Sequence, residues 1–426
     1  MIQENRNRTQ FKITDVELLI VVAFFVNIIC FAYQHINSRY TTYDLSLNGE
    51  NISTVIRNDY IVSFLVLIVM LCFFFAAALA LSGKKRINST VLCVLILIVS
   101  GFLWTIAAIQ KSSIVVVVKS PVSPFVLVMA FLVFIGYNEK AWEITKKMVF
   151  FSSVAYTLIS VYEIIRFISV FGLSNRLMRS GALYAIIIVI FFIYFNLLFN
   201  DELVKKHKII IPVQLFVTIS ITLILQSRSW VLHSLILVVI FVYKLSKNYK
   251  NKLVYFLIVS FIGLVIIALA SGYLITISGG LLDRMTDDSR TGQLNAFFSQ
   301  VTFRDLMLGG GMQAGYYCFG NPNYQFLDNL ILLTMFKYGI IPTLTYLSLM
   351  IIPIYYGFTH RESEARKGLL FFVVWIVIMM GVGIFISYSN NIYNYLIYII
   401  MGRFAFLREK DRKERLANSA IIKQER

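Results

Sequence analysis

Arginine is the side chain that the sequence sets where anion chemistry could take place. Arg166, Arg176, Arg179, Arg228, Arg284, Arg290 and Arg304 fall in segments that share one side of the topology derived below, and between residues 160 and 310 no lysine accompanies them there. A guanidinium keeps its charge and forks onto two phosphate oxygens, whereas lysine offers a point charge. A phosphate or diphosphate is therefore the ligand these residues suit. The ordinary alternatives are phospholipid headgroups, or pairing with Glu163, Asp283, Asp287, Asp288 or Asp305. Glu163 and Arg166 lie three apart on one helical face and suit a mutual ion pair; the other reading adds Arg166 to a phosphate cluster. Gly309, Gly311 and Ala314 fit GxGxxA, yet neither a preceding strand in a βαβ unit nor a GK[ST] sequence is present, so a turn between helices is expected rather than a nucleotide cradle. Cys30, Cys72, Cys93 and Cys318 show no CxxC or other metal-ligand spacing, and no metal and no other cofactor is expected.

The elements that must hold these residues are apolar helices. Hydrophobic residues make up 58% of the 426 and charged residues only 14%, a balance that excludes an ordinary soluble enzyme. Twelve stretches have the length and apolarity of membrane helices: 14–33, 60–82, 90–109, 121–137, 148–170, 181–199, 209–225, 229–243, 253–275, 339–358, 368–387 and 389–402. The expected fold class is an all-α polytopic membrane protein of about twelve transmembrane helices, a single multi-span domain over 1–426. The basic segment before the first stretch (Arg6, Arg8, Lys12) and the absence of a small-residue cleavage pattern after it mark a retained signal anchor.

Lysine and arginine sort the segments into two sides. With the N-terminus inside, the inner segments hold 27 of the 39 basic residues and the outer ones 10, the asymmetry that cytoplasmic loops show. The net charge of +17 is then a topology signal welcomed by anionic headgroups, and no nucleic-acid partner is needed to explain it. Residues 276–327 read as one long outer loop; loops of that length are functional or disordered, and the amphipathic pattern within it argues against disorder. Leu294, Phe297, Phe298, Val301 and Phe303 after Ser289 read as an amphipathic helix, Gly309, Gly310 and Gly311 as a turn, and Asp328 to Tyr338 as a second short helix before Gly339 and Pro342. Residues 276–338 are thus expected to form an extracytoplasmic loop with short helices that covers the active site.

In chain order, Gln226-Ser227-Arg228-Ser229 at an outer helix end, Arg290 opening a helix, Leu308-Gly309-Gly310-Gly311, Pro322, Asp328-Asn329 and Lys337-Tyr338-Gly339 resemble the O-antigen polymerase and ligase superfamily. Arg304 and Gly315 also match an RxxxxxxxxxxG pattern of the polymerase branch. The motif similarity runs mainly over 222–345. The resemblance implies a glycosyltransferase that moves a growing glycan from undecaprenyl diphosphate onto a lipid-linked repeat unit, at the outer face of the bacterial cytoplasmic (inner) membrane, with both termini cytoplasmic. Arg228, Arg290, Arg304 and Arg166 would hold the diphosphate, whose negative charge grows as it leaves. Asp328 is the first candidate for the base that takes the acceptor proton, with N-capping of the following helix as its alternative and His233 and His35 as weaker candidates. Tyr316, Tyr317 and Tyr324 are candidate sugar contacts, or members of an interfacial aromatic belt.

Ligases of the superfamily have a histidine before the short helix, and 321–329 has none, which favours the polymerase. The rival of a different class is a lipid-linked oligosaccharide flippase or other transporter, for which twelve spans are equally natural. The implied partners are the undecaprenyl-diphosphate-linked oligosaccharide and the lipid bilayer, with a chain-length regulator and a flippase as candidate protein partners.

Overall fold

The computed structural model describes residues 14–43, 51–56, 59–81, 89–120, 122–171, 181–224, 228–248, 289–360, 363–381 and 392–424. The predicted span 253–275 and the residues Arg176, Arg179, Arg284, Asp283, Asp287 and Asp288 lie outside them. The described chain is mostly helical: α1 (Asp15–Asn37), α2 (Asp59–Leu81), α3 (Ser89–Ile109), α4 (Ile114–Lys119), α5 (Phe125–Val128), a 3₁₀ turn (Met129–Leu132), α6 (Val133–Gly136), α7 (Glu139–Phe171), α8 (Gly181–Phe199), α9 (Asp201–Lys206), α10 (Ile210–Ile224) and α11 (Arg228–Asn248). There follow α12 (Ser289–Phe298), α13 (Phe303–Leu308), α14 (Leu330–Tyr338), α15 (Ile340–Thr359), α16 (Ser363–Gly381) and α17 (Ile392–Gln424). Two antiparallel hairpins depart from the all-α expectation, β1 (Ser38–Tyr43) with β2 (Asn51–Ile56) and β3 (Tyr316–Cys318) with β4 (Asn321–Tyr324).

Among the described residues five helices are long and apolar enough to cross a membrane: α1, α3, α15, Tyr60–Leu81 of α2 and Glu139–Ser169 of α7. Shorter apolar helices run over Phe125–Gly136, Ile186–Phe199, Ile210–Ile224 and Trp230–Lys244. The predicted span 121–137 is not one long helix. Pro124 sits at the start of α5 and a 3₁₀ turn interrupts the middle, which leaves Phe125–Gly136 among the shorter apolar helices.

Side-chain exposure separates a protein core from a lipid-facing shell. Every residue from 186 to 199 on α8 is buried, as are those from 392 to 405 on α17, and helices apolar on all sides belong inside a bundle. Phe25, Phe64, Leu103, Leu158 and Leu344, on the five long helices, are instead exposed. Exposed large apolar side chains in such number fit a hydrocarbon solvent and not water. α6 meets α17 through two glycines: a β-carbon on Gly136 would stand 2.1 Å from the Ile399 carbonyl oxygen, and one on Gly402 would stand 1.8 Å from that of Val133. Close backbone approach through small residues is how helices pack where water supplies no driving force.

The two ends of the bundle carry different polar groups. At one end, Asp201 accepts from Lys367 at 2.7 Å and from Lys244, while Arg403 pairs with Glu364 at 3.3 Å and Glu139 at 3.7 Å. Burial raises the Asp201 carboxyl, and the two lysines outweigh it and hold it below the usual range. The unit from α12 to α14 with its β3–β4 hairpin, here the loop face, packs on α15 and α16 and is bonded to Trp104 of α3.

Candidate functional site

The unit on the loop face is built around buried side chains of α12. Phe297 is fully buried and meets Tyr316 (5.2 Å, 84°) and Phe336 (5.3 Å, 84°) edge to face, which fixes α12 against the β3–β4 hairpin and α14. One turn earlier, Gln293 accepts the Asp328 backbone N–H at 3.2 Å and donates to the Tyr324 hydroxyl at 3.4 Å. Gln300 closes the same joint from the other end, accepting the Tyr317 N–H at 2.8 Å and donating to the Tyr317 carbonyl at 2.9 Å. Arg290 lies on α12 three residues before Gln293, so a single short helix carries the arginine and the amide that holds the Asp328 segment. Asp328 is not the cap of α14: the Asn329 side chain accepts the Leu332 N–H at 3.1 Å and takes that role.

The glycine turn is docked onto the C-terminal end of α14. Gly310 and Gly311 donate to the carbonyls of Phe336 and Lys337 at 2.8 and 2.9 Å. Those N–H groups are used, so they offer a phosphate nothing. Gly309 (φ 82°) faces Gly339 (φ 87°) so closely that a β-carbon on Gly309 would stand 2.6 Å from the Gly339 nitrogen. Lys337 turns inward at 1% exposure and donates to the carbonyls of Met312 at 3.0 Å and Ala314 at 2.5 Å. Burial pushes its ammonium down to about 7. Trp104 of α3 donates to the Tyr338 carbonyl at 3.0 Å, and the Tyr338 hydroxyl donates to the Val122 carbonyl, so the unit is fastened to the bundle.

Comparison with protein-family models, curated proteins and solved structures finds no match for the chain.

The other candidates occupy separate places. Arg304 is exposed on α13, whose start is a capping box of Thr302 and Asp305; the Thr302 hydroxyl and backbone N–H hold the Asp305 carboxyl below its usual range. Arg228 opens α11. Arg166 belongs to a cluster between α1 and α7, donating to the His35 carbonyl and lying 3.5 Å from Glu163, which stands 3.2 Å from His35 Nδ1. The expected Glu163–Arg166 pair is therefore present, with His35 as a third member. Glu163→Gln keeps the shape and removes the charge, and is expected to lower stability by about 1–2 kcal/mol. A thermal midpoint in detergent equal to that of the wild type would contradict this.

Tyr316 is buried and donates its hydroxyl to the Phe326 carbonyl at 2.7 Å; burial pushes its phenol up. Tyr317 is exposed and Tyr324 half-buried. Among the described residues no three His, Cys, Asp or Glu side chains gather as metal ligands would. Gln293, Gln300 and Phe319 were not singled out from sequence. The two glutamines act across long stretches of chain, which no local pattern encodes. Phe319 had a signal: Phe319-Gly320 stands where a two-residue hairpin turn prefers Asn-Gly. Its φ of 52° with 75° at Gly320 makes a type I′ turn, and a side chain in the left-handed region costs about 1–2 kcal/mol.

Proposed function

We propose that this protein is a polysaccharide repeat-unit polymerase of the O-antigen polymerase and ligase type, transferring a growing glycan from undecaprenyl diphosphate to the next lipid-linked unit. The observation that carries the reading is the Gln293 joint. It ties the Asp328 segment and Tyr324 to the helix that Arg290 opens, so a carboxylate and an arginine share one compact unit on the loop face. In this reading the acceptor hydroxyl oxygen attacks the anomeric carbon and its proton passes to the Asp328 carboxylate. The bond to the diphosphate breaks, and the electron pair leaves on the diphosphate oxygen beside Arg290. In the same reading Arg228 and Arg304 add positive charge for the second phosphate, and Arg166, oriented by Glu163, joins them. Lipid-linked substrate reaches the loop face from the outer leaflet of the bacterial cytoplasmic membrane. The proposal includes twelve crossings with both termini cytoplasmic, and a chain-length regulator and a flippase as partners.

A file of buried polar groups favours a second reading, a lipid-linked oligosaccharide transporter. Tyr156 of α7 donates to Asn27 of α1, and Ser153 accepts from Gln214 of α10 at 2.9 Å and Asn196 of α8 at 3.4 Å, all within the bundle.

Purified protein given the native lipid-linked unit is expected to produce a ladder on a gel without added metal. Arg290→Ala and Arg228→Ala are each expected to slow it by about a hundredfold while remaining folded and inserted. A ladder unchanged in both variants would remove the diphosphate assignment. Movement of the lipid-linked unit across liposome membranes with no ladder would replace the polymerase by the transporter.

A further inference from the structure

The tip of the β3–β4 hairpin presents an exposed aromatic surface. Phe319 keeps 62% of its surface exposed and Phe326 46%, with Tyr324 between them. Phe319 meets Tyr324 at 5.6 Å and 84°, and Tyr324 meets Phe326 at 6.0 Å and 73°, so three rings stand in series at steep angles. Phe319 occupies a left-handed position (φ 52°) where asparagine or glycine would relieve strain, and its exposure gives little burial in return. An outlier held without a gain to packing points to use rather than to folding.

The surroundings decide what such a surface binds. Asn321, Pro322 and Asn323 are exposed beside the rings; the Asn321 Oδ1 accepts the Asn323 backbone N–H at 2.9 Å, but burying the two amide NH₂ groups in hydrocarbon would strip them of water, so the tip faces water. Aromatic faces that accept C–H groups, flanked by amides that exchange hydrogen bonds with hydroxyls, complement a pyranose ring. Tyr324 also receives the Gln293 hydrogen bond that reaches the Asp328 segment, so the surface adjoins the proposed transfer site. We infer that Phe319, Tyr324 and Phe326, with Asn321 and Asn323, form a carbohydrate-binding platform that seats a sugar of the saccharide beside Asp328. Phe319 is a specificity and positioning residue on it. This rests on the glycan reading of the site above.

The test uses the full-length protein in detergent and Phe319→Asn, which supplies the residue the turn prefers while removing the ring. The probe is soluble oligosaccharide released by mild acid from the surface polysaccharide of the host, with binding read by saturation-transfer NMR. Phe319→Asn is expected to keep or raise the thermal midpoint, to weaken oligosaccharide binding at least about tenfold, and to raise KM in the ladder assay more than it lowers kcat. Phe319→Trp is expected to restore both binding and KM. Unchanged binding in Phe319→Asn, or no saturation transfer to the wild type at millimolar oligosaccharide, overturns the platform. Quenching of a Phe319→Trp fluorophore by nitroxide lipids, with saccharide binding unaffected by Phe319→Asn, also overturns it and makes the tip a membrane anchor. A wild type that forms a ladder with Phe319→Asn unaltered in every readout sinks the platform and spares the polymerase. A wild type without a ladder whose saccharide binding Phe319→Asn still abolishes does the reverse.

Discussion

The loop closed by Lys337 is expected to grow more stable as pH rises from about 7 to about 10, and Lys337→Met is expected to abolish that dependence. The Lys337 ammonium is 1% exposed, and among the described residues no carboxylate pairs with it; its contacts are the Met312 and Ala314 carbonyls and the Phe336 ring at 5.7 Å. Burial lowers its pKa from 10.5 to about 7. Between those values the opened chain binds a proton that the closed one refuses, so protonation favours opening and stability climbs with pH through the window. Below about 7 the full penalty of the buried charge remains. The span across the window is on the order of 5 kcal/mol. Methionine does not titrate, so the pH slope from this group disappears with it. Lys337→Arg is expected to open the loop at every pH, because a guanidinium cannot shed its proton. Hydrogen exchange of peptides covering 305–318, corrected for intrinsic rates, measures all three; parallel slopes for wild type and Lys337→Met would refute the assignment.

Gly402→Ala is expected to cost about 3 kcal/mol, the upper end for overpacking, because its new methyl would meet the Val133 carbonyl oxygen at 1.8 Å. The obstacle is backbone and cannot swing aside as a side-chain end would. Relief requires α17 to withdraw from α6, which would expose the buried face that begins at Ile392 and ends at Ala405. Gly136→Ala, at 2.1 Å from the Ile399 carbonyl oxygen, is expected to behave alike. Gly292→Ala is the control: nothing lies within 4 Å of its β-carbon, and alanine in a helix is favoured by up to about 1 kcal/mol. Thermal unfolding in detergent should rank Gly292→Ala at or above the wild type and the other two well below it. Equal midpoints for Gly402→Ala and wild type would show that α6 and α17 do not pack this closely.

The long apolar helices were legible to within a few residues. Predicted 60–82, 90–109 and 339–358 correspond to Asp59–Leu81, Ser89–Ile109 and Ile340–Thr359. Where a helix outruns its apolar window the sequence reading stopped short: 148–170 became Glu139–Phe171, and 389–402 became Ile392–Gln424. Helical hydrogen bonding continues through charged turns once they leave the hydrocarbon, and hydropathy is blind to that. The single amphipathic helix expected after Ser289 ends at Phe298, and Thr302 and Asp305 cap a new start for α13. Of the residues assigned to its apolar face, Phe297 is buried while Phe298 and Phe303 are exposed, so both its length and part of its face differ from the sequence reading.

Of the candidate site, the sequence offered residue types and their order along the chain. Arg290 and Asp328 were singled out from sequence, but the Gln293 joint, the inward turn of Lys337 and the strained Phe319 were not. By itself the sequence determined a mostly helical chain with several helices long and apolar enough to cross a membrane, and a structured stretch between 289 and 338. These follow from local hydropathy, charge counts and glycine placement, each of which sums over neighbours in the chain. Only the tertiary structure decided that α6 and α17 touch through glycine, that Arg166 turns to His35 and Glu163, and that Gln293 fastens Asp328. A hydrogen bond or a backbone contact is won or lost over about an ångström between groups hundreds of positions apart as readily as between neighbours, and that distance is written nowhere but in the fold.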